Sequence, residues 1–135
     1  MTLENLERIG QIHSEAPDEA EFGSLVRAAK ERLDDSQNQS LSYASRFDLA
    51  YGAAHGLALA AMRASGFRSD KRYMVFQCLI HTTAATKEDV RLFAVCHEKR
   101  NLAEYEGHFE RDEKLLTELI EITKRLSLLI DELKV

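Results

Sequence analysis

The stretch Phe47-Asp48-Leu49-Ala50-Tyr51-Gly52-Ala53-Ala54-His55-Gly56-Leu57-Ala58-Leu59-Ala60-Ala61-Met62 decides the fold. Eight of its positions are Ala or Gly, within a longer segment expected to be helical from about Leu41 to Ser65. Small residues this dense let neighbouring helices approach closely, which marks a central, largely buried helix of a bundle. Ser40 or Ser42 supplies an N-terminal cap, and Gly66 is the usual left-handed terminator.

Working outward, both flanks read as helices. Before it, Pro17 suits a first helical turn, with Asp18, Glu19 and Glu21 near the positive end. That helix runs to about Leu33 and buries Phe22, Leu25, Val26 and Ala29. A polar connector, residues 34–40, follows. Nearer the start, Leu3, Leu6, Ile9 and Ile12 keep helical spacing and predict a weak helix over Leu3–His13. After the central helix, Ser69 can cap a short helix through about His81, with Tyr73, Phe76, Cys78 or Gln77, and Ile80 as packing residues. Thr86 and Asp89 form a capping-box-like start for a helix through about Tyr105, which Gly107 breaks. The last helix, Glu110–Leu133, carries Leu115, Leu116, Leu119, Ile122, Leu126, Leu129, Ile130 and Leu133 on one stripe. The expected fold is all-α: a four- to five-helix up-and-down bundle, one domain over 1–135 with 1–16 as a weak N-terminal extension.

Composition agrees and excludes several classes. The 135 residues suit one domain, and 44% hydrophobic with 30% charged residues is a globular balance. Six Gly and one Pro are too few for a chain built of tight turns. The net charge of −5 argues against broad DNA or anionic-membrane binding. It is unevenly spread: residues 1–45 carry −5, residues 46–105 carry +3 and residues 106–135 carry −3. A small anionic site therefore fits the middle third. Cys78 and Cys96 sit in apolar surroundings without a CxxC, so free buried thiols and a cytoplasmic location are expected. No apolar run approaches a membrane span.

The chemistry-bearing residues are few. A carboxylate-bridged di-iron bundle needs Glu three residues before His, but Gly10, Gly52, Cys78, Ala94 and Tyr105 occupy those positions. No phosphate loop, nucleophile elbow or zinc set is present, so neither metal nor cofactor is expected. The segment that stands out is His97-Glu98-Lys99-Arg100-Asn101-Leu102-Ala103-Glu104-Tyr105. On a helix, His97, Arg100, Asn101, Glu104 and Tyr105 share a face. A rigid guanidinium fork beside an amide, a carboxylate and a phenol can hold a phosphate. An Arg100–Glu104 salt bridge on a wet surface is the plainer reading. On the early core helix, Asp48, Tyr51 and His55 are the candidates to face that segment, His55 as a core histidine or a base at a cleft.

Arg100-Asn101-Leu102-Ala103-Glu104-Tyr105 resembles the Arg-Asn…His motif of the HEPN superfamily, in particular its small bacterial helical domains. The Arg46–His55 stretch looks like the early core helix of the same bundles, and the likeness runs over roughly residues 18–133. It implies a homodimer whose Arg and His face a shared cleft. Active members cleave RNA there without a metal; others pair with a nucleotidyltransferase-like protein in toxin–antitoxin systems, or bind nucleotides or partners. By this resemblance Arg100 holds the phosphate and Asn101 positions it. Tyr105, however, stands where the His would be, and a phenol does not ordinarily titrate near neutrality. The expectation is a module that binds a nucleotide, RNA or protein partner through Arg100, Asn101, Glu104, Tyr105, Asp48, Tyr51, His55 and His97. The rival readings are a ribonuclease using Arg100 with His97, His108 or Tyr105, and a structural module dimerising through its Ala/Gly helix.

Overall fold

Short polar side chains start the helices. Thr2, Asp18, Ser42, Thr86 and Asp112 each accept a hydrogen bond from the backbone N–H three residues on. The structure is a computed structural model and describes residues 2–107 and 110–133. The caps open α1 (Leu3–Arg8), α2 (Glu19–Ser36), α3 (Tyr43–Ala64), α6 (Lys87–Glu106) and α7 (Glu113–Asp131). Two short helices, α4 (Arg72–Gln77) and α5 (Leu79–Thr82), join α3 to α6. The protein is an all-α bundle, with four long helices around one hydrophobic core.

α3 is the buried centre. Phe47, Ala50, Tyr51, Ala53, Ala54, Leu57, Ala58, Ala61 and Met62 are all sealed from solvent, against α2 and α7 on the two long sides. The small residues act within the chain: a Cβ placed on Gly56 would lie 3.3 Å from the Ala29 Cβ of α2. A Cβ on Gly52 would meet only the flexible Arg32 Cδ at 3.6 Å. Gly52→Ala is therefore expected to raise stability by about 0.5–1 kcal/mol through its helix propensity. Gly56→Ala should lower it by about 1–2 kcal/mol, because the methyl of Ala29 sits on a helix backbone and cannot swing aside. Urea denaturation of the two variants tests the pair. The sign must differ between positions four residues apart.

Several expectations need correction. The N-terminal helix stops at Arg8 instead of His13, because Gly10 takes φ +79°. Ile12 is still buried, but from an irregular segment leading to β1 (His13–Ser14), which pairs antiparallel with β2 (Phe67–Arg68). Pro17 lies just outside α2, whose cap is Asp18. Ser69 does not cap α4: its hydroxyl donates to Gln11 O at 3.0 Å and accepts from Lys71 N at 3.1 Å. Asp89 turns to Arg125 of α7 at 2.8 Å. Tyr73 and Ile80, read as packing residues, are exposed, as are Val95 and Leu102 of α6. The endings at Gly66 (φ +88°) and Gly107 (φ +71°) stand as expected.

Arg63, in the last turn of α3, is 1% exposed, the largest fully buried side chain among the described residues. Its guanidinium donates to Glu21 Oε1 (2.6 Å), Glu15 O (2.9 Å), Ala16 O (2.6 Å) and Phe67 O (3.2 Å). It thereby ties the entry to α2 and the β2 strand to the end of α3. Arg68 pairs with the Glu15 and Glu21 carboxylates from the other side. These bonds from Arg63 and Arg68 hold the Glu21 carboxyl below its ordinary value.

Candidate functional site

The polar face of α6 packs on α3 through histidine. Tyr51 Oη lies 2.8 Å from His97 Nδ1, and Asn101 Nδ2 lies 3.2 Å from His97 Nε2. With the Asn101 amide donating to Nε2, a neutral His97 carries its proton on Nδ1 and donates it to the Tyr51 oxygen. That leaves the phenolic O–H of Tyr51 to another acceptor. Arg100, one turn further along α6, stacks its guanidinium 5.1 Å from the Tyr51 ring centre and pairs with Glu104 at 2.7 Å.

Beside this contact four helices leave a cleft of about 360 Å³. α3 forms its floor with Asp48, Tyr51, Gly52 and His55; Arg32 enters from α2, Arg72 from α4 and Arg100 from α6. Arg72 also lies over the Tyr51 ring, 5.7 Å from its centre. Three guanidinium groups thus line one cleft, and Asp48 is the single carboxylate among its lining residues. Neither Arg32 nor Arg72 forms an ion pair among the described residues.

The titratable groups respond to this setting. Burial, then the positive charges of Arg72, His97 and Arg100, pulls His55 down to about 4. Burial and the same two arginines lower His97 too. Burial raises the Tyr51 phenol despite the arginines beside it. At pH 7 the cleft therefore presents a neutral His55 beside three arginines, with the protonated phenol of Tyr51 held against His97.

The structure brings together Asp48, Tyr51, His55, His97, Arg100 and Asn101, with Glu104 at the rim in the adjoining hollow. Tyr105 is 76% exposed and does not line the cleft. His108 lies outside the described residues. The Arg100–Glu104 bridge read from the spacing is present, and Glu104 is half open to solvent, not packed in a dry contact. Reading the sequence missed Arg32 and Arg72. Arg72 left one local signal, a basic residue in the first helical turn, where acidic side chains are favoured. Arg32 left none. Both cysteines are free and buried, with burial pushing Cys78 up to about 11 and Cys96 to about 12. No helix among the described residues is long and apolar enough to cross a membrane. No protein-family model matches the chain, and no curated protein matches it.

Proposed function

We propose that this chain is a HEPN-like binding module that holds a phosphate-bearing ligand, a nucleotide or a segment of RNA, in the Arg32–Arg72–Arg100 cleft without turning it over. The carrying observation is the convergence of three guanidinium groups from three helices on one cleft of an otherwise acidic protein. Guanidinium forks match phosphate oxygens two at a time. The imidazoles support binding without turnover. Both are held below the ordinary histidine value, so neither is an imidazolium acid for a leaving group at pH 7, and His55, at about 4, is a weak base.

The resemblance to HEPN bundles extends the proposal to a cytoplasmic homodimer, with a nucleotidyltransferase-like protein as the partner the family implies. The Ala/Gly helix is not the dimer contact in this reading, since α2 and α7 already cover it.

The test is titration of labelled AMP and of a short single-stranded RNA by fluorescence anisotropy at low salt. Arg72→Ala and Arg100→Ala should each weaken binding by about ten-fold or more, as expected for a lost charge-assisted hydrogen bond. Arg100→Ala should cost at most about 1 kcal/mol of stability, because its bridge to Glu104 is partly exposed. Equal binding by both variants would refute the cleft as the site. RNA cleavage in EDTA that disappears in Arg100→Ala would establish the ribonuclease reading in its place.

A further inference from the structure

Another hollow is larger than the arginine cleft. It is a groove of about 570 Å³ between α6 and α7, continued toward the end of α6 by a second hollow of about 410 Å³. Leu92 and Val95 of α6 and Ile122 of α7 line the groove, and Val95 and Leu102 line its continuation. At 100° per residue, Val95 and Leu102 project from the side of α6 opposite His97 and Arg100. Val95 is 47% exposed and Leu102 is exposed as well, although both keep the 3–4 spacing of a packing stripe. α6 thus has two working sides, one on the arginine cleft and one on this groove.

The rim has a sign. Glu88 and Glu98 on α6 and Glu118 and Glu121 on α7 border the two hollows, with Glu110 at the far end. Of the cations there, Arg125 is bound to Asp89 at 2.8 Å, leaving Arg91 and Lys99 against those five carboxylates. From Glu88 to Leu102 the groove runs about 21 Å at 1.5 Å per residue, the length of four helical turns.

We infer that the α6–α7 groove docks an amphipathic helix of a partner protein, apolar on one face and flanked by Lys or Arg. An apolar floor between two helices with charged rims is the geometry by which grooves take up helices. A second copy meeting groove to groove would oppose two acidic rims. A second copy offering its arginine side instead would make a head-to-tail contact, which builds rings or open chains and not a two-fold pair. An anionic lipid surface is repelled by the same carboxylates. A basic helix satisfies both the floor and the rim.

The experiment uses the full chain and a synthetic peptide of about 18 residues, with Leu at helical 3–4 spacing and Lys elsewhere. Its Glu-for-Lys counterpart and a Lys-rich peptide without the Leu stripe serve as controls. The Leu/Lys peptide should gain helicity on binding and shift backbone amides of residues 88–102 and 117–125. Val95→Asp, a change at an exposed position, should weaken it by about ten-fold or more. Glu118→Lys combined with Glu121→Lys should weaken the Lys peptide and admit the Glu peptide. Unchanged affinity in Val95→Asp, equal binding of the stripe-free peptide, or shifts confined to other helices would overturn the proposal. Self-association of the chain that Val95→Asp abolishes would overturn it in favour of a second copy.

Discussion

Replacing Arg63 by alanine is expected to cost about 3–5 kcal/mol, enough to unfold a large share of a domain of ordinary stability. The side chain is 1% exposed, and its removal deprives the carbonyls of Glu15, Ala16 and Phe67 of their donor. The Glu15 and Glu21 carboxylates keep Arg68 and some contact with water, which places the loss toward the lower end of that range. Arg63→Lys keeps the charge but has no planar fork, so it should recover only part of the loss. Guanidinium denaturation gives the free energies. Hydrogen exchange locates the effect: amides of residues 11–16 should open first, since the guanidinium is what ties that segment to α3. A loss under 1 kcal/mol would mean that water replaces Arg63 at no cost. Acid adds a second reading. Glu21 is held below its ordinary value in the folded chain, so its contribution is complete above the ordinary carboxylate pKa and is lost as the pH falls through the lowered one. Arg63→Ala should flatten that part of the acid limb.

The helices were legible where local chemistry decides them. Ser42 and Thr86 cap the helices they were expected to cap, and Gly66 and Gly107 end them in left-handed conformation. Periodicity misled where a backbone break overrode it. Ile9 and Ile12 keep the spacing of Leu3 and Leu6, yet Gly10 turns the chain between them, and Ile12 reaches the core from an irregular segment. The exposed Val95 and Leu102 show the converse: apolar spacing announces a packing face but does not say whether this chain supplies the cover.

The site was half legible for a related reason. His97, Arg100, Asn101 and Glu104 lie within eight residues on one helix, so helical geometry alone groups them. Arg32 and Arg72 reach the same cleft from helices distant in sequence, and nothing local distinguishes Arg32 from any solvated arginine. Arg63 was invisible on the same ground. A basic residue in a last helical turn looks like an ordinary partner for the helix dipole, and only the fold shows it sealed under residues 15–16. The middle-third excess of positive charge anticipated Arg72 and Arg100 of the cleft but not Arg32, which lies in the acidic first segment.

His55 should make stability fall steeply in mild acid. Its ordinary pKa is 6.5, and in the folded chain burial and the charges of Arg72, His97 and Arg100 bring it to about 4. Between these values the unfolded chain binds a proton that the folded chain refuses, so lowering the pH from 6.5 toward 4 shifts the balance toward unfolding. At about 1.4 kcal/mol per pH unit the gap amounts to about 3 kcal/mol by pH 4, and His97, lowered by the same causes, adds to it in the same direction. Denaturation measured at intervals from pH 7 to pH 4 should show this loss, and His55→Gln, which keeps a polar side chain without the titration, should remove most of it. A variant that follows the unmodified chain would show that His55 is not the group being desolvated. The same imidazole reports on the cleft. An anion held by Arg72 and Arg100 offsets the charges that depress His55, so saturating inorganic phosphate should raise its NMR titration midpoint and shrink the acid-induced loss. In Arg72→Ala the midpoint should rise without phosphate and respond to it less. A midpoint that phosphate leaves unmoved would place the anion somewhere other than the cleft.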